Sequence, residues 1–239
     1  MCLTSIYPSE CVGKQRESCP ELGLALPIGF VRHSHALPFE VLECVPDIVE
    51  FQGNLRIRAT AHSAHFANDQ RLDFMQASIE SRLTFQGRIY RQQGVVAEAV
   101  RLALFMCCYC SWMEIWNDSL IPCRLADRLF DLLESTQLFS TRQSDNVVWL
   151  PRMDVLLWLL WIGASVVELD QGYVDGLKSK QHRLYMYALT SLDECNSVNL
   201  KSLVHNALQD FIYTDGWRTH RCPSKDWFDL ELAINARTN

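Results

Sequence analysis

The stretch Met153-Asp154-Val155-Leu156-Leu157-Trp158-Leu159-Leu160-Trp161-Ile162-Gly163-Ala164-Ser165-Val166-Val167-Glu168 decides how this chain is read. Its apolar run, Val155 to Val167, is 13 residues long, whereas a helix crossing a bilayer needs roughly 20. Asp154 and Glu168 bracket it with charge. A segment that is hydrophobic almost all round, yet too short to span a membrane, predicts a helix at the centre of an all-α core. Trp158 and Trp161 are three apart and fall near one face, while Leu157 and Val167 serve the others. Gly163 inside a helix costs about 1 kcal/mol against Ala, so close approach of a neighbouring helix is the expected compensation.

Around that segment the composition is that of a folded domain. The 239 residues are 49% hydrophobic and 21% charged, which excludes disorder. A chain of this length hides roughly 70–75% of its unfolded surface. The net charge is -6 and only five lysines are present. That balance argues against an autonomous duplex-DNA binder, whose affinity comes mostly from Lys and Arg neutralising phosphates. Between Met1 and Phe30, the residues Pro8, Glu10, Lys14, Arg16 and Glu17 interrupt any apolar run, so no signal peptide is expected. The ten cysteines are then expected to be reduced thiols that behave as small hydrophobes, and the expected compartment is the nucleus or the cytoplasm.

Working outward from 153–168, helical periodicity dominates. Gln92 to Met113 places Val95, Val96, Ala99, Leu102, Met106, Tyr109 and Met113 at spacings of three and four. Leu125, Leu129, Leu132 and Leu133 follow Pro122, which suits a first helical turn. Asp73 to Phe85 sets Phe74, Ala77, Ile79 and Leu83 among polar residues. Tyr173 to Leu189 and Leu200 to Phe211 continue the pattern, the latter behind Asn196 and Ser197 as caps. Residues 38–62 remain open between two readings. Gly53-Asn54 between Ile48–Phe51 and Leu55–Arg58 suits a hairpin, while Phe39, Leu42, Val45, Val49 and Leu55 suit a helix. Residues 1–34 read as a loose leader punctuated by Pro and Gly, and residues 35–239 as a single all-helical domain.

The order of these elements resembles the regulatory domain of fungal binuclear zinc cluster transcription factors, the middle homology region. Leu37–Leu42 through Pro46–Val49 is similar to that family's opening element, and Glu98–Leu104 to its "EA.RLA" helix. Asp154–Ala164 resembles its buried "LLW…G" helix, and Leu203–Phe211 with Trp217 and Trp227 its last helix and aromatic tail. The likeness covers about residues 35–232. It implies an all-α regulatory module that works through protein partners or a small-molecule effector in control of RNA polymerase II transcription. The family's zinc cluster needs six thiolates in closely spaced pairs. Cys2, Cys11, Cys19 and Cys44 do not supply them, and only Lys14 and Arg16 lie among the first three. The resemblance therefore carries over regulation and not direct DNA binding by these residues.

No constellation in the sequence commits to chemistry, and the expectation is no catalytic, cofactor-binding or metal-binding residue, and no enzyme. Cys107 and Cys110 form a Cys-x2-Cys pair on one helix face, but a structural zinc needs two more ligands, so they read as core residues. His62, His65 and Asp69 form the nearest approach to a metal array and supply the alternative reading, a helical enzyme or ligand-binding protein of fungal specialised metabolism. His33 and His35 fall in the leader and rank below them. Asp127, Asp131 and Glu134 alternate with Arg124 and Arg128 and read as a solvated, ion-paired face. Arg82, Arg88 and Arg91, like Lys178, Lys180 and Arg183, read as solvated faces or at most a partner-docking surface. Phe105, Tyr109, Trp112, Trp116, Trp158 and Trp161 read as core aromatics, with an apolar effector pocket as the other possibility. Asn117-Asp118-Ser119 lacks the acidic partners of a Mg²⁺ motif. Gly172 and Gly176 do not make a phosphate loop. No membrane association is expected.

Overall fold

The computed structural model describes residues 16–19, 24–60, 66–90, 94–111, 120–136, 148–169 and 206–212. They form an all-α protein in which α2 (Phe39–Thr60), α3 (Phe66–Tyr90), α4 (Val95–Ser111), α5 (Leu120–Ser135) and α6 (Met153–Leu169) carry the core. Before them come a short α1 (Ile28–Arg32) and a two-stranded antiparallel ribbon, β1 (Arg16–Cys19) with β2 (Leu24–Pro27), in which Arg16 lies opposite Pro27 and Cys19 opposite Leu24. No helix among the described residues is long and apolar enough to cross a membrane.

The segment 38–62 resolves as helix through Thr60. Val41, Leu42, Val45, Ile48, Val49 and Gln52 are buried, which is the three-and-four spacing of one helical face. A two-residue hairpin at Gly53 would require positive φ. Gly94 is the positive-φ glycine among the described residues, at φ 114°, and Gly53 keeps a helical backbone. Pro46 lies inside α2; it removes one backbone donor and normally costs about 3 kcal/mol, yet burial of α2's apolar face holds the helix.

Helix α6 is buried as its composition predicts: Val155 to Leu160 are each 2% exposed or less. Trp161 is half-buried. The structure adds a second central helix. Helix α4 packs against α2, α3, α5 and α6, and its residues from Ala97 to Tyr109 are buried without a gap. The sequence periodicity of 92–113 suggested one apolar stripe. Burial on every side follows because the two charged residues of its first turns, Glu98 and Arg101, satisfy each other and go inside with the rest.

The leader reading is corrected from Leu24 onward. Leu26 and Phe30 are fully buried and belong to the core. Pro27, which looks like loop punctuation, ends β2, and Gly29 lies inside α1 ahead of the 3-10 turn Ser34–Ala36. Gly29 is there for contact rather than flexibility. A Cβ at that position would come within 2.6 Å of the Phe211 ring, so only Gly lets α1 approach residues 206–212 this closely. The expected helices over 173–189 and 200–205, and the tail beyond 212, lie outside the described residues.

Candidate functional site

The most concentrated polar chemistry among the described residues lies over the first turn of α6. The 3-10 turn Leu150–Arg152 leads into that helix, and Asp154 falls in its first turn, where a carboxylate is favoured by the free backbone N–H groups. Asp154 Oδ1 accepts the N–H of Val155 at 2.9 Å. His33, the residue that ends α1, brings Nε2 to 2.8 Å from Oδ1 and 3.0 Å from Oδ2. Arg32 donates from Nη1 to Asp154 Oδ2 at 2.6 Å and from Nη2 to Asp210 Oδ2 at 2.9 Å. One arginine thus spans two carboxylates contributed by segments that are 122 and 178 residues away from it in sequence.

An aromatic cluster underlies this network. The Phe30 ring meets Trp158 edge-on at 5.5 Å and Phe211 at 5.0 Å. Trp158 and Phe211 stack at 5.2 Å, and His33 stacks on Phe211 at 6.4 Å. The Trp158 indole N–H, which would be orphaned in an apolar core, donates to the Ile212 carbonyl at 2.9 Å. Segments 24–37 and 206–212 are therefore clasped on the same end of α6, by charge at the rim and by rings beneath.

The electrostatics follow from this packing. Burial is the strongest single influence on Asp154 and opposes its ionisation. The hydrogen bond and charge of His33, the Val155 N–H and Arg32 together outweigh it, and the carboxyl titrates below its ordinary 3.8. A carboxylate so held stays ionised and acts as an anchor for its donors. The arrangement holds two chain segments on a helix end, by charged bonds with which water and salt compete and by the apolar packing beneath them. His33 makes its hydrogen bonds to Asp154 through Nε2, and its side chain is buried against Phe211. That geometry orients a structural imidazole.

A second polar cluster sits within the core. Glu98 accepts from Arg101 Nε at 2.7 Å and Nη2 at 2.9 Å, and from Arg128 Nη2 at 2.6 Å. Arg101 Nη1 donates to the Leu83 carbonyl at 2.8 Å, and its guanidinium lies 5.7 Å from the centre of the Phe105 ring. Glu98 and Arg101 side chains are 7% and 5% exposed. This cluster ties α3, α4 and α5 together. Nearby, the Tyr109 hydroxyl is pushed far up, first by burial and then by the charge and hydrogen bond of Glu80.

The residues singled out by sequence scatter over several environments. Cys107 and Cys108 are fully buried thiols outside any disulfide, as small core residues should be. His62 and His65, the side chains of Asp69, Arg88 and Cys110, and also Arg91, Trp112, Trp116, Asn117, Asp118, Ser119, Gly172 and Gly176 lie outside the described residues, as do Lys178, Lys180 and Arg183. Arg82 is not simply solvated, since it pairs with Asp47 and lies 3.7 Å from Glu43 of α2. Arg128 leaves its own helix to reach Glu98. Asp127 titrates above its ordinary value, because it is partly buried and close to the like charge of Asp131, with Arg124 opposing. Phe105 stacks on Tyr109 at 6.1 Å, while Trp158 packs with Phe30 and Phe211.

The sequence reading ranked His33 low, as a leader residue, and missed Arg32 and Asp210. The only signal available was Asp154, an acidic residue opening a helix too apolar to be exposed, which asks for a cationic partner from elsewhere. The chain matches no protein-family model, no curated protein and no solved structure.

Proposed function

We propose that this chain is a regulatory domain of the fungal transcription factor type. It acts through protein partners of the transcription machinery, another regulator or a small-molecule effector in control of RNA polymerase II transcription. The observation that supports the reading is where its family-like segment sits. Asp154–Ala164, the part of the sequence most similar to that family, is buried except at Asp154 and Trp161 and bears the clasp that gathers segments before and after it. A helix held at one end by half-exposed charges is a natural element for two arrangements, clasped and open, and a partner that favours one of them shifts the balance. In this reading the role is regulatory rather than catalytic, the protein works in the nucleus or the cytoplasm, and DNA contact is made by another chain or domain.

Tethering the protein to a heterologous DNA-binding domain upstream of a reporter tests the proposal. The expected result is a change in reporter transcription, accompanied by altered transcript levels when the gene is deleted. An unchanged reporter together with an unchanged transcriptome would overturn it. Mapping the transcript's 5′ end adds the context, since an in-frame exon with two Cys-x2-Cys pairs would join this domain to a zinc cluster.

A further inference from the structure

Asp210, Phe211 and Ile212 reach α1 and α6 one after another, and each offers a different group. Asp210 gives a carboxylate to Arg32 Nη2 at 2.9 Å. Phe211 gives a ring that lies 5.0 Å from Phe30, 5.2 Å from Trp158 and 6.4 Å from His33. The edge of that ring is so close to Gly29 that a Cβ there would meet it at 2.6 Å. Ile212 gives a backbone carbonyl to the Trp158 indole N–H at 2.9 Å. Carboxylate, ring and carbonyl from successive residues are read as a short linear motif is read in a slot.

The slot is organised by contacts of its own. Arg32 is anchored through Nη1 to Asp154 at 2.6 Å, and Asp154 also holds His33, so the guanidinium is already aimed where its other nitrogen meets Asp210. Phe30 and Trp158 are fully buried and meet edge-on at 5.5 Å. A vacant slot would be costly, because the indole N–H would lose its acceptor and the rings would line a cavity. Exchange for another chain that brings the same three groups avoids that cost.

We infer that this slot recognises a protein segment in which an acidic residue is followed directly by an aromatic one, and that residues 206–212 occupy it as the chain's own copy of that motif. Every peptide has a backbone carbonyl, so selectivity falls to the other two groups. Arg32 reads the carboxylate, and the bare backbone of Gly29 with the walls of Phe30 and Trp158 reads the ring. A partner carrying the motif displaces 206–212 and takes its place on the end of α6. This names the partner's chemistry and rests on reading the clasp as the regulated element. Binding is measured in solution without transcription, so a failed titration and a failed reporter are separate results.

Calorimetric titration with a synthetic peptide of sequence 206–212 tests it, on the full chain carrying Asp210→Ala and Phe211→Ala to empty the slot. The expected result is saturable one-to-one binding, weaker by roughly ten-fold or more in the wild type, where the tethered copy competes. A Phe211→Ala peptide should lose roughly ten-fold or more, and so should the emptied chain when Gly29→Ala is added. Asp210→Asn in the peptide should weaken binding several-fold, and that difference should disappear in an emptied chain that also carries Arg32→Ala. If the emptied chain does not fold alone, the peptide is expected to restore its cooperative thermal unfolding, and the Phe211→Ala peptide is not. Neither binding nor rescue, or equal binding to the wild type and the emptied chain, overturns the proposal. So does a wild type that sediments as a dimer until Phe211 is replaced, since the occupant is then the same segment of a second copy.

Discussion

Arg32, His33, Asp154 and Asp210 hold together segments more than a hundred residues apart, whereas Glu98, Arg101 and Arg128 join helices that are neighbours in the chain. The two clusters use the same chemistry in opposite settings. Glu98 and Arg101 are within the core, where desolvation is severe and each charge must find its partner. In the clasp, Arg32 is 49% exposed and Asp154 24%, so water and salt compete with every bond. The buried cluster fixes which helices meet. The exposed one holds two segments on α6 with a strength that solution conditions can set, and the apolar packing of Phe30, Trp158 and Phe211 beneath it supplies the rest.

Breaking the buried cluster should have the largest effect. Glu98→Ala leaves the Arg101 guanidinium in the core without its carboxylate and is expected to cost about 3–5 kcal/mol, on the order of 10 °C in Tm for a chain of this size. Arg101→Met removes the buried charge from the other side and should be milder than Glu98→Ala when both are followed by thermal unfolding. If the two were equal, packing rather than the stranded charge would be the cause.

Asp154→Asn comes next. It keeps the shape but loses charge-assisted bonds to His33 and Arg32, with an expected cost of about 1–3 kcal/mol at neutral pH. The sign of its pH dependence follows from the lowered pKa of Asp154. The folded protein favours the ionised form, so the wild type's advantage is complete above the ordinary 3.8 and is lost as pH falls through the lower folded value. Denaturant titrations at neutral and strongly acidic pH should show the gap between wild type and variant closing as acid is added.

Arg32→Ala should be the smallest, within about 1 kcal/mol, and most of that difference should vanish in 1 M salt, where screening acts over about 3 Å. Glu98→Ala should keep its penalty in the same salt. A clasp variant that ignores salt, or a core variant that responds strongly to it, would contradict the contrast between the two clusters.

Legibility followed distance along the chain. Glu98 and Arg101 are three apart, so their pairing on one helical face could be anticipated from spacing, though not their burial, which depends on four other helices surrounding α4. Arg128 was visible as part of an alternating charged face, but its real partner is on another helix. His33 looked incidental because its neighbours, Pro38 and Gly29 among them, read as loop. Nothing near it in sequence announces Asp154. Residues 38–62 were balanced between hairpin and helix because short apolar runs fit both periods. Packing of Val41, Val45, Ile48 and Gln52 against the core, with Gln52 Nε2 reaching the Cys107 carbonyl at 3.5 Å, is a tertiary fact that settles it.

The sequence by itself determined that the described residues are all-α and that Val155–Leu160 are buried, because helical periodicity and an apolar run depend only on local spacing and on the cost of leaving such a surface in water. It holds a single Cys-x2-Cys pair, Cys107 with Cys110. Only the tertiary structure decided that α4 shares the centre and that the leader from Leu24 onward belongs to the core. It alone decided that Arg32 and His33 meet Asp154. Those outcomes rest on contacts between residues far apart in the chain, whose entropy of closure is offset only when the whole core forms at once.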